Sequence, residues 1–190
     1  MNTKKIPITT KRLVFDAVLI ALYVLLGFLK IPIGNILRIN MASFAVVVCA
    51  VAFSPIYGLI VGFLGEYLSQ ILGPYGMTPT TALWALPEAV RGLLLGLFML
   101  VFVKRQLAPA TLLKSKAVIW YTAANIIAGI VASLLNTFAL YVDSKMFGYY
   151  EYYMVFGILL IRLAIAIVMS GAFGYIALLI VNALQRNKTL

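Results

Sequence analysis

Residues 83–104 read LWALPEAVRGLLLGLFMLVFVK. About 20 apolar residues, rising roughly 1.5 Å each, cross the ~30 Å hydrocarbon of a bilayer, so this stretch is long enough to span one. Before its closing Lys104, only Glu88 and Arg91 bring charge into it. Three positions apart on a helix, the two share a face, one turn below Trp84 and Pro87. A span with two charged side chains in its outer half is costly, so the stretch predicts both a membrane helix and a polar site inside it.

The rest of the chain repeats the apolar pattern. Of 190 residues, 64% are hydrophobic and 11% charged, with a mean hydropathy of +1.08. A soluble globule cannot enclose that apolar share. The length admits about six spans with short connections and no large soluble domain. Helices are expected over 12–30, 41–53, 56–72, 83–104, 116–141 and 152–185, giving an all-α bundle of six transmembrane helices that forms one domain over 1–190. The second helix is too short to cross alone unless neighbouring chain buries it at membrane depth. Ser54-Pro55 either separates it from the third helix or breaks one longer helix. The first apolar run follows Lys4, Lys5, Lys11 and Arg12 but is longer than a signal-peptide core, with no small-residue cleavage site after it, and reads as a retained span.

Fifteen Lys and Arg face five Asp and Glu, a net charge of +10. The basic residues cluster between apolar stretches, which indicates a membrane surface rather than a nucleic-acid partner. With six spans, Lys4, Lys5, Lys11, Arg12, Lys104, Arg105, Lys114, Lys116, Arg186 and Lys188 fall on one side, and only Lys30, Arg38 and Lys145 on the other. Both termini are therefore expected in the cytoplasm.

Several chemistries are excluded or disfavoured. The chain has no histidine and one cysteine, Cys49, inside an apolar run, so no disulfide framework, His or Cys metal cluster or histidine-based triad is expected. No cofactor is expected. There is no G-x-x-x-x-G-K phosphate loop for ATP hydrolysis. Two carboxylates in one layer are compatible with acid–base chemistry, yet no nucleophile or metal set accompanies them, and an enzyme is not expected.

The remaining intramembrane polar residues fall at matching depths. Glu66 and Gln70 lie in the outer half of helix three, Glu88 and Arg91 near the outer end of helix four, Asn136 in the outer half of helix five and Arg162 below the outer end of helix six. Asn125 lies deeper, and Asp16 can pair with Lys11 or Arg12. Two readings are open. The four charges form structural ion pairs, or they line a pocket open to the outside in which an arginine binds a substrate carboxylate and an aromatic ring stacks on a flat ligand. The outer loop 147–153 holds four tyrosines, Tyr149, Tyr150, Tyr152 and Tyr153, as an interfacial aromatic belt or as a lid. Ala17 and Ala21 form a small-xxx-small pair that suits close helix approach, inside the chain or with a partner.

The segments Ile31-Pro32-Ile33-Gly34-Asn35, Leu37-Arg38-Ile39 and Ser54-Pro55-Ile56-Tyr57-Gly58, the stretch 76–92 and Ala17-x-x-x-Ala21 together resemble the substrate-binding S components of energy-coupling factor (ECF) vitamin transporters, folate-type branch. The resemblance covers nearly the whole chain, with its specific motifs in residues 12–97. It implies a subunit that binds one vitamin tightly, docks through Ala17 and Ala21 of helix one onto a membrane coupling subunit driven by two ATPases, and uses its outer loops as gates. The expected substrate-binding set is Arg38, Glu66, Gln70, Trp84, Glu88, Arg91, Asn136, Tyr152 and Arg162. Folate leads, with pantothenate and other small vitamins behind it. A scaffold without a ligand and an intramembrane enzyme using Glu66 or Glu88 are the rivals from other classes.

Overall fold

A computed structural model describes residues 10–33, 37–74, 76–104 and 116–186; the side chains of 11, 12, 30–33, 37–39, 102–104 and 117 lie outside that description. Lys4, Lys5, Arg105, Lys114 and Lys188 of the charge count also lie outside the described residues.

The chain enters through α1 (Thr10–Phe28) and turns at once into an antiparallel hairpin of β1 (Lys30–Ile33) and β2 (Leu37–Asn40). The hairpin stands where only a Pro- and Gly-containing turn was expected; the other described elements are helices, as in an all-α bundle. Ile31 pairs with Ile39 and Pro32 with Arg38. A strand with no neighbour on its other side tolerates a proline, because the missing N–H breaks no ladder.

Helix α2 (Ser43–Ala52) has ten residues and is apolar on every side. Residues 45–51 are all buried, as expected of a helix enclosed by protein rather than lipid. It touches α1 and the later helices α3 (Pro55–Ile71), α4 (Thr81–Lys104) and α6 (Leu159–Arg186). At its end Ser54 is extended and Pro55 opens α3 (Pro55–Ile71). Proline is well suited to that first position, since its absent N–H has no partner there anyway. Helices two and three are therefore separate.

Helix α4 (Thr81–Lys104) packs against α2, α3 and α5, and α5 (Ala117–Met146) against α6 (Leu159–Arg186). Helices α3 and α4 approach closely because glycines face each other: a Cβ on Gly58 would fall 2.7 Å from the Gly92 carbonyl oxygen. Glycines at four-residue spacing on both helices let the two backbones meet, Gly58 against Gly92, Gly62 against the Glu88 backbone and Gly96 against Pro55.

Helix five runs on to Met146 rather than ending near 141. Asp143 ties its last turn to two loops, accepting hydrogen bonds from the Thr80 and Tyr149 hydroxyls. Helix six opens with a π-helical turn, Tyr153–Gly157, before α6 begins.

Val47, Cys49, Leu95, Tyr121, Ala128, Leu178 and Val181 form the dry core. Many large apolar side chains point outward instead, Leu25, Trp120 and Leu160 among them. Hydrocarbon is their natural solvent. Three helical stretches among the described residues have the length and apolarity to cross a membrane: Thr81–Val101, Val118–Met146 and Tyr153–Arg186. Leu13–Phe28 and Ser43–Ala52 are shorter apolar helices.

Candidate functional site

Every helix sends a side chain to one cavity of about 350 Å3. Tyr23 comes from α1, Ser43 from α2, Glu66 from α3, Asn136 from α5 and Arg162 from α6. Helix α4 contributes Trp84, Glu88 and Arg91. These are spaced i, i+4 and i+7, so one face of α4 forms a wall.

The charged groups differ in how far the protein satisfies them. Tyr23 donates its hydroxyl hydrogen to Glu66 Oε2 at 2.6 Å, and Gln70 Nε2 donates to Oε1 at 2.6 Å. Glu88 Oε1 accepts from Ser43 Oγ at 2.7 Å and from Arg91 Nη1 at 3.2 Å, the latter an ion pair. Arg91 Nη2 donates to Ser170 Oγ at 2.8 Å. Arg162 Nη2 donates to the Met154 carbonyl oxygen at 2.9 Å, and Arg162 makes no ion pair among the described residues. Three buried atoms on cavity-lining residues have no hydrogen-bond partner there: Glu88 Oε2, Arg91 Nε and Arg162 Nη1. A buried polar atom left unpaired costs on the order of 1–3 kcal/mol, more if charged, so these three atoms have hydrogen-bonding capacity left for a group from outside the chain.

Six of the nine residues expected to bind substrate line this cavity: Glu66, Trp84, Glu88, Arg91, Asn136 and Arg162. Gln70 does not line it and instead holds Glu66. Tyr152 is 69% exposed, with its ring against Phe156, and does not line it. The side chain of Arg38 lies outside the described residues. Of the two structural ion pairs that were one open reading, the described residues show one, Glu88 with Arg91.

Sequence reasoning missed Tyr23, Asn40, Ser43 and Ser133 among the lining residues, and Ser170 behind Arg91. Tyr23 had a signal: between Asp16 and Lys30 it is the one side chain of α1 able to form a hydrogen bond. Ala17 and Ala21 are both exposed on α1. Among the described residues no three His, Cys, Asp or Glu side chains gather to hold a metal ion.

Residues 7–186 match the family model for the S component of the ECF-type riboflavin transporter. The chain belongs to the ECF-type S components. This family consists of substrate-binding transporter subunits that are integral to the membrane and are not enzymes. The S component is also similar to UPF0397 proteins of Streptococcus pneumoniae strains CGSP14 and P1031, at 32% identity over 97 residues in each case. The match covers 50% of this chain and 50% of each relative; the chain thus spans about half the length of the relatives it matches. Among solved structures it is similar to the S component for biotin from an ECF-type ABC transporter, with a TM-score of 0.58 and 18% identity over 95% of both chains. That likeness concerns the fold.

Proposed function

We propose that this S component captures a folate-type vitamin: a flat heterocycle carrying a carboxylate. The observation that carries the reading is Arg162, whose Nη1 is buried on the cavity wall with no partner among the described residues. A ligand carboxylate there would gain a charge-assisted hydrogen bond and relieve a desolvated cation. Trp84 on the same cavity offers a face for a pterin ring. Arg91, by contrast, is already engaged by Glu88 and Ser170, so Arg162 rather than Arg91 takes the anion in this reading. Gln70 serves by fixing Glu66, and Asn136 by offering its amide to the ligand. Arg38 keeps its place in the set as the basic residue of the hairpin beside Asn40, which lines the cavity.

A second reading, riboflavin, is favoured by the description of the matching family. Its ring would use Trp84 equally well, but it has no carboxylate for Arg162. Equilibrium binding of folate, riboflavin, biotin and pantothenate to the purified protein separates the readings. We expect folate to bind at least about tenfold more tightly than the rest, a difference near 1.4 kcal/mol. Riboflavin binding most tightly would select the second reading. No binding of any vitamin would return the four charges to a scaffold role.

In the same reading both termini face the cytoplasm, and Ala17 and Ala21 meet a membrane coupling subunit driven by two ATPases. Their exposure on α1 beside the outward-facing Val14, Val18 and Leu25 supports a helix–helix contact. Ala17→Trp should leave vitamin binding unchanged and stop uptake into cells or vesicles.

A further inference from the structure

Glu88 is a half-buried carboxylate held at one end only. Both of its donors, Ser43 Oγ and Arg91 Nη1, reach the same oxygen, Oε1. The other oxygen, Oε2, is buried with no donor among the described residues, on a side chain that lines the cavity. The arrangement fixes the carboxylate at one end and leaves a desolvated acceptor at the other.

We infer that Glu88 Oε2 is a specificity element that reads a neutral N–H on the ring of the ligand, with Ser43 as the residue that positions it. The inference rests on the reading of the cavity as a vitamin site and adds the chemistry of one subsite. Neutrality follows from the local charge: Arg91 already balances Glu88, so an ammonium group brought to Oε2 would be a second cation against one carboxylate. A lactam N–H or a ring amino group satisfies the acceptor without adding charge. Such groups occur on both pterin and isoalloxazine rings, so the subsite serves either vitamin.

Ser43 owes its position to the hairpin. The last residue of β2, Asn40, accepts a hydrogen bond from the Ala42 backbone N–H at 2.9 Å through its Oδ1. That bond anchors the first turn of α2, where Ser43 is buried. Through Ser43 the hairpin thereby bears on which oxygen of Glu88 faces the ligand.

The test uses matched probes that differ only at the ring nitrogen: folate against N3-methylfolate, and riboflavin against 3-methylriboflavin. In the wild type, the N–H form of whichever vitamin binds should be favoured by roughly tenfold or more, because methylation leaves Oε2 unpaired. A methyl group also adds bulk, so the variants decide the cause. In Glu88→Gln, Arg91 can only donate and therefore holds the amide oxygen in the Oε1 position, where the Ser43 hydroxyl can also donate to it. The amide nitrogen then faces the ligand, donor against donor. The preference for the N–H form should fall to within about threefold in Glu88→Gln, and to an intermediate value in Ser43→Ala. Both variants should lose more affinity for the N–H probe than for the methylated one, a selective loss that a general loss of structure would not reproduce. An unchanged preference in Glu88→Gln, with folate or riboflavin still bound, overturns the inference and leaves the vitamin site standing. Failure of the wild type to bind either vitamin overturns the site, and the inference with it.

Discussion

Arg91 and Arg162 border one cavity and each leaves one buried nitrogen unpaired, yet their remaining contacts differ. On the α4 side Arg91 is 6% exposed and bridges three helices: Glu88 on its own helix, Ser170 on α6, and Gly129 of α5 lying against it. A Cβ on Gly129 would collide with Ser170 Oγ and fall 3.0 Å from Arg91 Nη2. Ser170 is in turn fixed through its carbonyl oxygen, which accepts from Asn125 Nδ2. On the α6 side Arg162 leans on a single acceptor, the Met154 carbonyl of the π-helical turn. π-Turns inside helices recur at functional sites because they redirect backbone groups. The contrast teaches that a charge inside the membrane is informative only with its partner: in the proposed reading the ion-paired arginine holds helices together and the one without an ion pair among the described residues takes the ligand.

The sharpest way to break this contrast is to remove each arginine. Arg91→Ala leaves Glu88 buried with Ser43 alone and strips Ser170 of its donor. Loss of one member of a buried pair costs about 3–5 kcal/mol. We expect a large drop in the midpoint of thermal unfolding in detergent. Arg162→Gln should leave that midpoint nearly unchanged and weaken folate binding by about 2 kcal/mol, roughly 30-fold. If Arg91→Ala melted like the wild type while losing only affinity, the two roles would be exchanged.

How much of this was legible depends on which signal a residue carries in one dimension. Glu66, Glu88, Arg91 and Arg162 announced themselves because charge in an apolar run is rare, and a rise of about 1.5 Å per residue was enough to put them in one layer. Which oxygen of Glu88 is occupied, and which arginine is engaged, depends on Ser43 and Ser170. Serine is tolerated almost anywhere in an apolar helix, so neither stood out. The hairpin carried a period-two pattern, Ile31 and Ile33 against Leu37 and Ile39, but Pro32 interrupted it, and two short strands are marginal without packing. The extension of α5 depends on Asp143 gathering hydroxyls from Thr80 and Tyr149, contacts that sequence spacing does not reveal.

Smaller effects sharpen the comparison. Ser170→Ala removes one hydrogen bond from Arg91 without touching the Glu88 pair, and should cost about 1 kcal/mol of stability, read from the same melting experiment. An effect on affinity larger than the effect on stability would mean that Arg91 meets the ligand after all.

The smallest effect is expected at Tyr152, and it tests how far the binding layer extends. Neighbouring tyrosines are engaged locally: Tyr149 donates to Asp143, and Tyr150 lies under the Lys145 ammonium, 3.9 Å from its ring centre, edge-on to Tyr141. These contacts tie the loop to the end of α5. Tyr152 shares in none of them, and its exposed ring meets only Phe156 among the ring contacts described. An exposed aromatic at this level suits the membrane interface, where one edge of the ring is apolar and the other wet. Tyr152→Ala should therefore change folate affinity by less than about 0.5 kcal/mol, close to twofold. A loss of tenfold or more would require the loop to swing until Tyr152 covers the cavity. The Asp143 contacts would then have to break on binding, and Asp143→Asn would tighten or weaken capture in step with them.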